Sequence, residues 1–117
     1  MKIGFLGIDI AKSKFDIALL VNGKFKCKEF PNEPKGFLAL SAWLQKKELS
    51  DLHVCMEATG AYSEALATYL HGEKILVSVV NPAQIKKFGG CKLSRTKTDK
   101  ADAMLIAEFC MTMRPKA

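Results

Sequence analysis

Four acidic residues stand where their types and spacing could do chemistry. Asp9 closes an almost unbroken apolar run that begins at Lys2, and Glu57 follows a second apolar run, Leu52 to Met56. A charge at the end of a buried strand is costly unless it is paired or ligated. Asp99 and Asp102 lie three apart at the mouth of an apolar periodic segment, a spacing that puts both on one helical face. Four carboxylates brought together suit a hard divalent cation, and a set without histidine favours Mg²⁺, with Mn²⁺ as its substitute, over Zn²⁺. Two such ions activate a nucleophile and stabilise a leaving oxygen in phosphoryl transfer. Each acid also has a purely structural use. Asp9 could pair with Lys12 or Lys14. Asp99 and Asp102 suit the first turn of a helix, where acids complement the macrodipole, and Asp-x-x-Asp resembles a capping box. The coincidence of all four with a basic stretch favours the metal reading.

That basic stretch runs from Lys86 to Lys97 and reads as a Gly-containing loop carrying Lys86, Lys87, Lys92, Arg95 and Lys97, with no acid before Asp99. The whole chain has a net charge of +6 and a pI of about 9.2. A basic chain whose acids are gathered in one place points to a polyanion such as nucleic acid. With 117 residues, 49% hydrophobic content and mean hydropathy of +0.05, one domain with a real core is expected and disorder is not. No apolar run approaches the roughly 20 residues that span a bilayer. The N-terminal run reads as a strand, since Asp9 cuts it short and no small-residue cleavage site follows. Cys27, Cys55, Cys91 and Cys110 contain no C-x-x-C pair and read as buried thiols in a reducing compartment, not as a zinc site or disulfides. His53 and His71 read as structural.

The elements that must position the acids follow from pattern. Lys2 to Ile10 is a strand buried on both faces. Phe15 to Val21 and Lys24 to Phe30 alternate around Asn22-Gly23, the pair preferred in a type I′ hairpin. Lys24, Lys26 and Lys28 share one face of the third strand. Pro34 opens a helix to about Lys47, with Phe37, Leu40, Trp43 and Leu44 on one face. Leu52 to Met56 is the fourth strand. Thr59 is a candidate N-cap for a helix marked by Tyr62, Leu66, Tyr69 and Leu70 and capped by Gly72. Tyr62 reads as core packing. Lys74 to Val80 is the fifth strand, and Asn81-Pro82 starts a short helix. A last helix runs from Thr98 to Arg114-Pro115 with Leu105, Ile106, Phe109 and Met113 on one face. The order βββαβαβα implies a mixed five-stranded α/β sheet in which the first and fourth strands are parallel neighbours. Their C-terminal ends then bring Asp9 and Glu57 side by side.

Together these motifs resemble the DEDD transposases of bacterial insertion sequences. Gly7-Ile8-Asp9-Ile10-Ala11-Lys12 is similar to the family's first-strand motif. Met56-Glu57-Ala58-Thr59-Gly60-Ala61-Tyr62 is similar to its second. Asn81-Pro82, Lys86, Gly89 and Lys97-Thr98-Asp99-Lys100-Ala101-Asp102-Ala103 resemble its third. The resemblance implies a ribonuclease-H-like (RuvC-like) fold, with Asp9, Glu57, Asp99 and Asp102 as the D-E-D-D ligands of two Mg²⁺ ions. It implies a recombinase acting on DNA under a guide (bridge) RNA, with Lys12 and the basic residues from Lys86 to Lys97 on the nucleic acid. It further implies a homo-oligomer in the full-length protein and a bacterial cytoplasmic, nucleoid-associated location, with no membrane. Residues 1–117 are then one catalytic domain, a fragment without the C-terminal transposase domain that bears the family's nucleophilic serine. Two other readings use the same fold features: a stand-alone junction-resolving nuclease needs only the four acids, and Gly7-Ile8-Asp9 before a hairpin also resembles an actin-like or sugar-kinase-type ATP-binding lobe. Ala11-Lys12 lacks the Gly-Thr of that lobe's phosphate loop. A non-catalytic nucleic-acid-binding module is a fourth reading.

Overall fold

In the computed structural model the described residues are 2–58, 61–89 and 99–115, of which residues 89, 99 and 100 enter by their backbone only. Three strands open the chain, β1 (Ile3–Ile10), β2 (Lys14–Val21) and β3 (Lys24–Pro31). Asn22 and Gly23 both take positive φ, 52° and 76°, which the two-residue I′ turn demands. Then come α1 (Pro34–Gln45), β4 (Asp51–Glu57), α2 (Ala61–Gly72), β5 (Leu76–Val80), α3 (Pro82–Gly89) and α4 (Asp99–Met113). The strands form one sheet in the order β3-β2-β1-β4-β5, with β1 antiparallel to β2 and parallel to β4. The expected mixed α/β architecture is therefore observed, including the parallel β1–β4 pair.

Both faces of the sheet are covered, which is why β1 and β4 read as continuous apolar runs. One face holds Leu6, Ile8, Ile17, Val54 and Met56 against Phe37, Leu40 and Leu44 of α1 and Leu66 and Leu70 of α2. The other holds Phe5, Ala18, Leu20 and Cys55 against Ala103, Ile106, Ala107 and Cys110 of α4 and Ile85 of α3. Each such fully buried aliphatic or aromatic side chain contributes about 1.5–3 kcal/mol. The stripe that α4 buries is thus not the one read from the sequence: Ile106 and Phe109 are buried, but Met113 is 58% exposed and Ala103, Ala107 and Cys110 take the contact. Small residues win there because α4 lies directly on β1 at Gly7. A Cβ at Gly7 would run into the Ala103 carbonyl oxygen and the Ala107 amide nitrogen.

Two helix ends also differ from expectation. Gly72 does not take the left-handed conformation at the end of α2; Lys74 does, with φ 61°. Lys86 and Lys87 lie in the last turn of α3, not in a loop, because Asn81 caps that helix (Ala83 N–H to Asn81 Oδ1, 2.8 Å) and no breaker intervenes before Gly89. Tyr62 is 46% exposed, so its expected core role does not hold; its backbone carbonyl accepts from Asn32 Nδ2 at 3.2 Å. Thr59 lies outside the described residues.

His53 sits buried on the α4 face of β4, its Nε2 2.7 Å from Ser78 Oγ, which donates to the Pro115 carbonyl at 3.0 Å. Burial, and next the charge of Arg114, lower its pKa below the ordinary 6.5, with Asp51 opposing. The unfolded chain therefore binds this proton at a pH where the folded chain does not, so stability falls as pH drops below about 6.5 until the folded pKa is passed. In metal-free buffer the melting temperature is expected to fall as the pH drops below about 6.5, and less in His53→Gln. Equal slopes in the two proteins would remove His53 as the cause.

Candidate active site at the strand ends

The parallel register sets Ile8 beside Met56, so the next residues of each strand, Asp9 and Glu57, are neighbours at the C-terminal ends of β1 and β4. Side chains alternate across a sheet. Because Ile8 and Met56 belong to the α1 face, Asp9 and Glu57 belong to the α4 face; both are half-buried. α4 runs across that face with Ala103 against Gly7, and the preceding residue, Asp102, is half-buried in its first turn. Three of the four expected acids are thus carried to one end and one face of the sheet by β1, β4 and α4. Asp99 begins α4; its side chain lies outside the described residues.

A further acid belongs to this neighbourhood. Asp16 on β2 is the antiparallel register partner of Asp9 and shares its face. Its side chain is only 14% exposed, and Lys14 Nζ lies 3.3 Å from it and 2.9 Å from Glu29, the register partner of Asp16 on β3. Lys14 therefore neutralises part of a row of acids that runs Glu29, Asp16, Asp9, Glu57 across four strands. The signal was present in β2, where Asp16 shares its face with the apolar Ala18 and Leu20. A covered acid of that kind looks, in sequence, like an ordinary wet position.

The basic residues divide. Lys12 is exposed in the β1–β2 turn, which the Ala11 N–H closes onto the Lys14 carbonyl at 2.9 Å, at the same end as Asp9. Lys86 and Lys87 are exposed on α3, which packs on α4 through an edge-to-face contact of Phe88 with Phe109, centroids 5.6 Å apart. Lys92, Arg95 and Lys97 lie outside the described residues. Exposed lysines on the β1–β2 turn and on α3 can hold a phosphodiester backbone without reading its sequence.

The donor set of the strand ends is all carboxylate oxygen, the set that fits Mg²⁺ or Mn²⁺. It is not the group that draws its ligand atoms closest. Among the described residues, His53, Cys55 and Cys110 bring one ligand atom each within 4.8 Å of one another, all three buried. The Cys110 thiol is pushed up, first by its hydrogen bond with Cys55 and then by burial, so it is no nucleophile at neutral pH. Cys27 is half-buried, and Cys91 lies outside the described residues.

Comparison with known proteins sharpens the assignment. A transposase family model, the DEDD type named for IS110, matches residues 6–117. A pilin gene-inverting protein of Moraxella lacunata is 40% identical over 107 residues, covering 90% of this chain and 33% of that protein. The protein of the same name from Moraxella bovis is 39% identical over 107 residues with the same coverage. The chain thus spans about a third of the length of these curated relatives. Among solved structures, a Ppx/GppA family protein of Aquifex aeolicus aligns with a TM-score of 0.47 at 12% identity, over 76% of this chain and 38% of that one.

Proposed function

This chain belongs to the IS110-type DEDD transposase family, and from that premise we propose that its strand-end carboxylates are the metal-binding half of a DNA recombination site. Asp9, Glu57, Asp99 and Asp102 would hold two Mg²⁺ ions, with Asp16 and Lys14 setting the charge beside them. When bound, the ions supply activation of a nucleophilic oxygen and stabilisation of the leaving oxygen at a phosphodiester. The chain's own residues do the rest. Gly7 lets α4 close on β1, which sets the first turn of α4, with Asp102, at the end of the sheet that bears Asp9, and the β1–β4 register makes Glu57 the neighbour of Asp9. Lys12, Lys86, Lys87, Lys92, Arg95 and Lys97 bind backbone phosphates of DNA or of a guide RNA.

The observation that carries this reading is the convergence of acids from three elements on one face of one sheet end, in a chain with net charge +6. The substrate would be DNA at the ends of a mobile or invertible element. The reaction would take place in the bacterial cytoplasm, at the nucleoid, in a homo-oligomer of a longer protein that supplies a C-terminal domain. No helix among the described residues is long and apolar enough to cross a membrane.

A crystal soaked in Mn²⁺ tests the site. Anomalous peaks are expected between Asp9, Glu57 and Asp102, together with a rise in melting temperature on adding Mg²⁺ or Mn²⁺. Peaks elsewhere, with no thermal response to millimolar metal, would overturn it.

A further inference from the structure

The cluster of His53, Cys55 and Cys110 takes no part in the carboxylate chemistry, and its parts come from two elements. His53 and Cys55 are two apart on β4 and share the face covered by α4; Cys110 comes from α4. All three are buried, and their ligand atoms lie within 4.8 Å of one another.

The hydrogen bonds fix the histidine tautomer. Ser78 Oγ has a single proton, and it goes to the Pro115 carbonyl, which can only accept. The contact of 2.7 Å between Ser78 Oγ and His53 Nε2 must then have Nε2–H as donor. That leaves Nδ1 as the nitrogen with a lone pair, in a residue only 9% exposed, and among the described residues no hydrogen bond reaches it. A relay in which a buried imidazole donates one N–H to a fixed oxygen and offers its other nitrogen is the arrangement that orients metal-ligating histidines.

From this geometry we propose that His53, Cys55 and Cys110 form a second metal site, for Zn²⁺, separate in place and in chemistry from the carboxylates. One nitrogen and two sulfurs are borderline-soft donors, the class that selects Zn²⁺ over Mg²⁺. On binding, each thiol gives up its proton to solvent, two S–H bonds break and two Zn–S bonds form, with no change of oxidation state. Zn²⁺ with two thiolates and a neutral imidazole carries no net charge, which suits a buried position; Cu⁺ would leave one negative charge there uncompensated. Zinc bond lengths near 2.3 Å to sulfur and 2.1 Å to nitrogen put the ligand atoms about 3.5–4 Å apart, so the cluster needs a contraction of about 1 Å. Sequence pattern hides the site because no two ligands form a C-x-x-C or H-x-x-H pair. Its effect would be mechanical: Cys55 precedes Glu57 by two residues on β4, and Cys110 lies about two helical turns beyond Asp102 on α4. A bound ion would tie the helix that bears one acid to the strand that bears another.

Equimolar Co²⁺, the spectroscopic stand-in for Zn²⁺, added to the reduced chain tests this. The expected result is a thiolate-to-cobalt charge-transfer band with tetrahedral d–d absorption, abolished by Zn²⁺ and absent in Cys55→Ser and Cys110→Ser but kept in Cys27→Ser. Should the serine variants not fold, X-ray absorption of the zinc-loaded native chain must give a four-atom first shell of two sulfurs, one nitrogen and one further light atom such as a water oxygen. Co²⁺ bound with oxygen ligands only would overturn the zinc site while leaving the carboxylate site intact. Binding of Cu⁺ but not Zn²⁺, or a Cys55–Cys110 disulfide in place of any metal binding, would also overturn it. Failure of the carboxylate site reads differently, as lost Mg²⁺ response with the charge-transfer band unchanged.

Discussion

Replacing Gly7 by alanine is expected to cost about 3 kcal/mol or more, at the upper end of what overpacking does. For a chain of this size that lowers the melting temperature by about 10 °C. One methyl group does this because of what it meets. At Gly7 the new Cβ would face the Ala103 carbonyl and the Ala107 amide, both backbone atoms of α4, with the Ala107 Cα at 3.0 Å. A helix backbone cannot rotate aside as a side chain can, so α4 must lift from β1 as a unit. Gly4→Ala is the matched control. There the new Cβ meets only the ends of Leu49 and Leu19 side chains, at 3.0 and 3.1 Å, which can shift. That variant should lose less than about 1.5 kcal/mol. The lift also moves Asp102, so whatever of Gly7→Ala remains folded should respond to Mg²⁺ less than the native chain does. Thermal melts of the three proteins with and without Mg²⁺ check both points. Equal melting temperatures for Gly7→Ala and Gly4→Ala would mean that α4 does not rest on β1 as described.

Local signals carried much of this arrangement in the sequence, and where they were absent the reading failed. The hairpin was legible because Asn22-Gly23 leaves few alternatives at two consecutive positive φ angles. The β1–β4 pairing was legible because the element order βββαβαβα implies a mixed sheet with those two apolar runs, each ending in an acid, as parallel neighbours. What α4 buries was not legible: large residues dominate a periodicity count, but at Gly7 the helix approaches too closely for anything larger than Ala103 and Ala107. Asp16 was missed for a related reason. Alternation says which face a strand residue is on, not whether something covers that face. Lys86 and Lys87 read as loop because glycines follow them, although nothing before Gly89 interrupts the helix that Asn81 begins. The Cys–His cluster lay beyond pattern altogether, since Cys110 is far from His53 and Cys55 in the chain and meets them only once α4 packs on β4.

Asp9→Asn should reverse its effect with the metal. Asparagine keeps the shape of the side chain and an acceptor oxygen, and removes one negative charge from the row Asp16, Asp9, Glu57. Like charges this close repel, and the half-buried setting screens them less than bulk water would. In chelator, the substitution is therefore expected to stabilise the fold by about 1 kcal/mol. In excess Mg²⁺ the order reverses. A site occupied at 100 times its dissociation constant adds about 2.7 kcal/mol to the native chain, and a variant that lacks a central ligand forfeits most of that. Plotted against Mg²⁺ concentration, the two melting curves should cross. Lys14 supplies the internal check: it already neutralises Asp16 at 3.3 Å, so Asp16→Asn should shift the metal-free stability in the other direction, by taking one carboxylate from that lysine. A crossing for Asp9 and none for Asp16 would separate an acid that binds the added metal from one whose role is to hold Lys14. Parallel curves for native chain and Asp9→Asn would show that Asp9 holds no metal, and the carboxylate site would lose the residue around which its other members are arranged.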